Sequence, residues 1–329
     1  MATAAQAFSP KEWKVGIVSD ATNAGATGIG NTMHQLDVDS IGFPSLNVNQ
    51  KVDVRSGVGR TLKDEDFFQD NIMRVAEISL SGTLHNDTGH KLLVQNICND
   101  VAGDPAVASG FAPTSQVYGI AVTNAASSLT VVMQPSDVTN QQGLEFFGCV
   151  VTAFSITAEG SADGGQYKWS ATLQTGKKPD LASTVEPTIT AYVNTDIPLL
   201  SSSSAHKVFN AEVILTSFTT ALENTAVFTG VASDGYQVVS RGAEMSVTAE
   251  AQVKYDANTK AFITGFDNQS AAIAGNMLAI VNDGAFGVLI DNGVFTNVAL
   301  AEGDLMMLDC SIKAVDDGTD PLITFDVTS

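Results

Sequence analysis

The residue types able to do chemistry in this chain are few and scattered: four histidines, three cysteines and short runs rich in glycine or aspartate within 329 residues. Gly25-Ala-Thr-Gly28-Ile-Gly30 has the glycine density of a phosphate cradle. A cradle needs a buried strand before it, a helix after it and a closing Lys-Ser/Thr. The pattern supplies none of these, so the stretch reads as flexible arm. His34, His85, His90 and His206 lie far apart, except that His85 and His90 sit five apart around a turn. No cysteine or carboxylate joins them at a ligand spacing, and surface histidines are expected rather than a metal site. Asp316-Asp317-Gly-Thr-Asp320 looks like half a calcium loop but lacks the closing bidentate glutamate, so it reads as a solvated hairpin turn. Cys98, Cys149 and Cys310 share no close spacing and read as reduced, buried thiols. There is no Gly-X-Ser-X-Gly elbow and no cysteine in a protease-like setting. Carboxylates paired for glycoside hydrolysis depend on separation in space, and nothing in the chain selects a pair. The expectation is a protein with no catalytic, cofactor-binding or metal-binding residues, and so not an enzyme.

The elements that would position any such residues are mostly strands. Residues 166–175 alternate without a break, with Tyr167, Trp169, Ala171 and Leu173 on one face. Residues 244–255 set Met245, Val247, Ala249, Ala251, Val253 and Tyr255 against a polar face. A third long strand is expected over 144–158, with Leu144, Phe146, Val150, Phe154 and Ile156 together. Shorter ones are expected near 117–123, 129–133, 208–219, 277–281, 286–290, 304–315 and 321–327. Asp163-Gly-Gly, Asn282-Asp-Gly, Asp291-Asn-Gly and Asp317-Gly are expected to turn hairpins. Helix is scarce: one is predicted over 88–98, capped by Asp87 or Thr88, and one over 257–266, opened by Asp256.

The chain also repeats itself. Arg74-Val-Ala-Glu-Ile-Ser-Leu80 matches Arg241-Gly-Ala-Glu-Met-Ser-Val247 at an offset of 167. Asp87-Thr-Gly-His-Lys91 then matches Asp256-Ala-Asn-Thr-Lys260 at an offset of 169. Solenoid repeats run at about 20–50 residues, so this period suggests a whole domain duplicated and fused. The long loop 49–72 has a counterpart in 221–240, and each helix follows its Ala-Glu-X-Ser strand. The expected layout is an arm over 1–35, a first β domain over 36–178, a Pro- and Ser-bearing linker over 179–205 and a second β domain over 206–329.

Composition excludes several partners. Sixteen basic against thirty-six acidic residues leave a net charge of −20 and a pI near 4.3. Tight nucleic-acid binding needs cations to displace counterions from phosphates, and an anionic membrane would repel this chain equally. No apolar run approaches the ~18 residues of a membrane helix. The first residues lack a basic segment followed by an apolar one, so no secretory signal is read there. An acidic surface keeps a protein soluble, or lets a polyanion pass without sticking.

Taken with Arg74–Leu80, the helix at 88–98, the Phe-Phe-Gly-Cys-Val-Val strand in Leu144–Ile156 and the repeat at 241–266, this layout resembles the major tail tube protein of long-tailed, siphovirus-like bacteriophages. The likeness covers about residues 36–178 and, more faintly, 206–315. It implies a mainly β fold: two tandem tail-tube-like β-sandwich domains, each with one short helix, giving strands to an intersubunit β-barrel ring. It implies a structural virion protein, made in the host cytoplasm, whose stacked rings form the conduit for DNA ejection. Its partners would be further copies of itself, in trimeric rings of two-domain chains rather than hexamers, and other phage tail proteins. Genomic DNA would pass the lumen without tight binding. In the family the long inter-strand loop reaches the adjacent ring. Here that carries over to 49–72 and 221–240, with Arg60, Lys63, Asp64, Glu65, Asp66, Phe67 and Phe68 as expected inter-ring contacts and the two phenylalanines as apolar anchors. The competing expectation is a virion decoration or glycan-binding β-sandwich, which would show exposed aromatics on one face.

Overall fold

Alternating residues become strands throughout, as described in a computed structural model over residues 10–20, 33–44, 49–52, 67–70, 76–98, 116–119, 128–135, 143–177, 187–192, 197–200, 206–232, 235–268, 275–280, 286–301, 305–318 and 321–327. The protein is mainly β. In the first half the strands are β1 (Trp13–Asp20), β2 (Met33–Leu36), β3 (Ser40–Gly42), β4 (Asn49–Val52), β5 (Phe67–Asp70), β6 (Ala76–Thr83), β7 (Gln116–Gly119), β8 (Ser128–Pro135), β9 (Leu144–Glu159), β10 (Lys168–Thr175) and β11 (Ile189–Thr190). In the second half they are β12 (Lys207–Val208), β13 (Ala211–Glu212), β14 (Leu215–Ala232), β15 (Gly235–Lys254), β16 (Leu278–Ile280), β17 (Phe286–Ile290), β18 (Gly293–Ala301), β19 (Met307–Ala314) and β20 (Thr324–Val327). Helix α1 (Thr88–Cys98) follows β6, and α2 (Lys260–Asp267) follows β15.

Eight strands form one antiparallel run in the order β3-β6-β10-β9-β14-β15-β19-β18. It is two four-strand units in the same order. Each has a strand before the Ala-Glu-X-Ser strand (β3, β14), that strand itself (β6, β15), the last strand of the half's hairpin (β10, β19) and its partner (β9, β18). The helices obey the same correspondence, α1 packing on β9 and α2 on β18. Their starts match as well. Asp87 Oδ1 accepts from the His90 N–H at 3.0 Å, and Asp256 Oδ1 accepts from the Thr259 N–H at 3.0 Å. The Lys91 and Lys260 amides donate to the Asp87 and Asp256 carbonyls, each at 3.1 Å.

The polar and apolar faces are separated by the strand period. Tyr167, Trp169, Ala171 and Leu173 are buried, as are Val247, Ala249, Ala251 and Val253. β9 is a special case: its first half leaves the run to pair with β8, which continues through β1 and β2 to β11. Gly148, at φ +60°, lies at this divergence, where residues 145–151 are buried on both faces. A second sheet, β13-β12-β16-β17-β20-β7, takes strands from both halves, and Phe325 of its β20 meets Phe154 of β9 edge-to-face at 6.5 Å. One core holds buried residues from Val15 to Phe325. Gly82 sits inside it opposite Trp169, where an added Cβ would collide with the Asp37 carbonyl.

Several expectations are corrected. Within the expected arm over 1–35, Trp13–Asp20 is a strand between β2 and β8, with Val15 and Ile17 in the core. The loop expected over 221–240 is the outer part of the β14–β15 hairpin. A single strand over 208–219 is broken by Phe209 and Asn210, both at positive φ, which turn β12 into β13. Asp291-Asn-Gly is a crossover, because β17 and β18 belong to different sheets; the same holds for Asp317-Gly between β19 and β20. Parts of the expected linker dock on the first half: β11 pairs with β2, and Gln166 bridges Leu199.

Candidate functional site

The outer face of the eight-strand run is a wide polar surface. β9 contributes Ser155, Thr157 and Glu159; β10 contributes Ser170, Thr172 and Gln174; β14 and β15 add Thr219, Glu223, Ser246, Thr248 and Glu250. The hydroxyls and amides bind one another across strands: Ser155 to Ser170 at 2.8 Å, Thr157 to Thr219 at 3.2 Å, Gln174 Nε2 to Glu77 at 3.1 Å and Gln252 Nε2 to Asp309 at 2.9 Å. The carboxylates here (Glu77, Glu159, Glu223, Glu250, Asp309) outnumber the ammonium groups of Lys168, Lys254 and Lys313. Lys168 is further drawn to Asp39 at 3.5 Å. Among the described side chains, such a face offers no cluster of cations to hold phosphate and no aromatic ring.

Two features interrupt it. The β14–β15 hairpin outruns its neighbours. β9 pairs with β14 only over Ser217–Glu223, and β19 pairs with β15 only over Thr248–Lys254, while β14 and β15 continue to pair out to Ala232 and Gly235. The outer part is therefore a two-stranded ribbon. At its root an open groove of about 960 Å³ is lined by Gln174, Glu223, Ser246 and Lys313 among others. The second feature is the pair of ends: among the described strands, none pairs with the outer edge of β3 or of β18. Apolar side chains are left uncovered there, Phe43 at 42 % exposure and Leu300 at 50 %.

Three of the four histidines are not on the surface as expected, and His34 is partly buried. His85, His90 and His206 are each 1 % exposed. His85 Nε2 meets Asp37 Oδ2 at 2.7 Å and His90 Nδ1 meets Asp87 Oδ1 at 2.8 Å. The two rings lie 5.6 Å apart, His85 against Tyr192 and His90 edge-on to Trp169. Burial alone would raise the Asp87 carboxyl, but the hydrogen bonds and charge of His90 outweigh it and hold Asp87 below the usual aspartate value. Burial, then the nearby Asp37, pushes the Tyr192 hydroxyl up. The cluster ties the β2–β3 turn, the start of α1 and the 187–192 segment together. Among the described residues no three His, Cys, Asp or Glu groups converge to hold a metal ion. The three cysteines are buried thiols outside any disulfide, as expected, and burial with Asp309 nearby lifts the Cys310 thiol to about 12.

Of the expected inter-ring residues, Arg60, Lys63, Asp64, Glu65 and Asp66 lie outside the described residues. Phe67 and Phe68 fall in β5, opposite Val52 and Lys51 of β4, so the 49–72 segment is at its base a second two-stranded ribbon. Sequence reasoning missed β18 and the edge residues Phe43 and Leu300. The available signal was Phe295 followed by Val298 and Leu300 on the inner face, thrown out of a period of two by the bulge between Phe295 and Asn297. Among the described residues no helix is long and apolar enough to cross a membrane. Comparison with known proteins gives no matching family model and no matching curated protein.

Proposed function

We propose that this protein polymerises into stacked rings that form the tail tube of a long-tailed bacteriophage, the conduit for DNA ejection. The observation that carries the reading is the doubled strand order: each chain offers two four-strand units side by side, ending in two edges with no partner among the described strands. Exposed edges invite pairing between chains, and closure into a barrel removes them. Three such chains would supply six units, so a ring of three is preferred to a ring of six. The polar sheet face is then the lumen. Its excess of carboxylates repels passing DNA, and its hydroxyls, already bonded to each other, give phosphates little to grip. Other tail proteins would cap the two ends of the stack.

Inter-ring contact falls to the two ribbons that leave the sheet, β4–β5 with the adjoining Arg60, Lys63, Asp64, Glu65 and Asp66, and outer β14–β15. The rival reading, a glycan-binding decoration protein, asks for aromatics on an open face. Trp169 is 2 % exposed, and Phe43 is the one aromatic among the exposed large apolar side chains of the described residues. Electron microscopy of the purified protein at high concentration tests the proposal: stacked rings or tubes with an open channel support it, and dispersed monomers with glycan affinity overturn it. Phe67→Asp with Phe68→Asp tests the stacking role: rings that no longer elongate support it, and tubes of normal length refute it.

A further inference from the structure

We infer that β18 of one chain pairs antiparallel with β3 of a second copy, in the register that β9 and β14 already display inside each chain. The inference rests on the ring reading only in taking the partner to be another copy of this protein. β9 and β18 occupy the same place in the two units, and so do β14 and β3. The internal β9–β14 junction is therefore a template for the junction that the two free edges lack.

The register follows from the pairings. At the offset of 169 set by Asp87 and Asp256, Gly82 corresponds to Ala251 and Ser81 to Glu250. Gly82 lies opposite Trp169, which lies opposite Ile156; Ala251 lies opposite Cys310, which lies opposite Val298. Ile156 thus corresponds to Val298, and Thr157 to Ala299. On the other side, the step from the 167 offset to the 169 offset is placed after the last identical pair, Ser79 and Ser246, so that Leu80, which pairs with Ile41, stands against Ala249, which pairs with Thr220. On that placement Ile41 corresponds to Thr220 and Ser40 to Thr219. Inside the chain Ile156 faces Thr220 and Thr157 faces Thr219. Between chains, Val298 would face Ile41 and Ala299 would face Ser40 of the neighbour.

Burial supports this assignment independently. At the internal junction Ile156, Thr220 and Leu222 are 0 % exposed and Ala158 is 2 % exposed. Their counterparts at the free edges are Val298, Ile41, Phe43 and Leu300. Val298 and Ile41 are only partly buried, while Phe43 and Leu300 are 42 % and 50 % exposed. Positions sealed within the chain stand open at its edges, and one pairing of a second copy seals all four. Diagonal neighbours across an antiparallel pair are about 7–8 Å apart, within reach of Leu and Phe side chains.

Disulfide trapping reads the register directly. Directly opposed Cβ atoms lie about 4.5–5.5 Å apart, close to disulfide geometry, and the native cysteines are buried. Assembled Ala299→Cys/Ser40→Cys protein, oxidised and run without reductant, is expected to give covalent two- and three-chain species. Ala301→Cys/Ser40→Cys, slid by two residues, is expected to give at least tenfold less. Absence of cross-links in assembled particles, or equal cross-linking in the slid pair, overturns the inference. Leu300→Asp is a second probe, because the new carboxylate would face Asp39 of the neighbour. A folded monomer that no longer forms rings supports the junction, and unimpaired rings refute it. A covalent ladder without tubes keeps the junction and sinks the tube reading. Tubes without the cross-link do the reverse.

Discussion

At the scale of single residues, the internal junction carries a mark of its origin. Thr220 is fully buried beside Ile156, its hydroxyl has no hydrogen-bond partner, and the equivalent position in the first unit is Ile41. A buried unpaired hydroxyl is a net cost. Thr220→Val keeps the shape and removes that cost, so the urea midpoint is expected to rise by the equivalent of about 1 kcal/mol; a fall would show that the hydroxyl is satisfied. Asp87 makes a pH-dependent contribution. Its folded pKa lies below the ordinary 3.8, so the stability it supplies is present above that value and is lost as pH falls through the lower folded one. Asp87→Asn retains a helix-capping side chain. The gap in melting temperature between wild type and this variant should therefore shrink below pH 3.8, and a constant gap would contradict the assignment. Neither histidine partnership was legible in the sequence. His85 reaches Asp37 across 48 residues, and only the folded chain shows that polar rings are buried because carboxylates meet them.

At the scale of elements, the strands with one dry and one wet face were legible, and those without were not. β10 and the inner part of β15 alternate cleanly because one side packs on the core. Helix α1 fills the predicted span, since Asp87 caps it and Leu93, Val94 and Ile97 face inward. The outer β14–β15 ribbon has no third strand beside it. Gly230, Asp234 and Gly235 punctuate its sequence with turn residues, and it read as a loop. β1 was hidden for another reason: eight strand residues are flanked by Ala-, Gly- and Thr-rich stretches. An isolated two-stranded ribbon adds little to stability in water. Replacing Val227–Ser240 by an Asn-Gly turn between the paired Ala226 and Arg241 should thus change unfolding free energy by less than about 1 kcal/mol. In the tube reading the same truncation stops ring stacking. Normal tubes from the truncated chain would remove that role from the ribbon.

At the scale of the whole molecule, one strand order occurs twice, β3-β6-β10-β9 and β14-β15-β19-β18, side by side in one sheet. The matching segments Arg74–Leu80 and Arg241–Val247 hinted at it, but seven positions in each half do not reveal that the units lie side by side in one sheet. That arrangement depends on the β9–β14 pairing, which joins Glu159 to Ser217 across the expected linker and is set by packing rather than by local pattern. In the proposed ring each chain would fill two sectors. Native mass spectrometry of rings released from purified assemblies counts those sectors directly. With chains of 34.3 kDa, the account predicts a ring of about 103 kDa, three chains with six-fold pseudosymmetry. A ring of about 206 kDa, six chains, would contradict it.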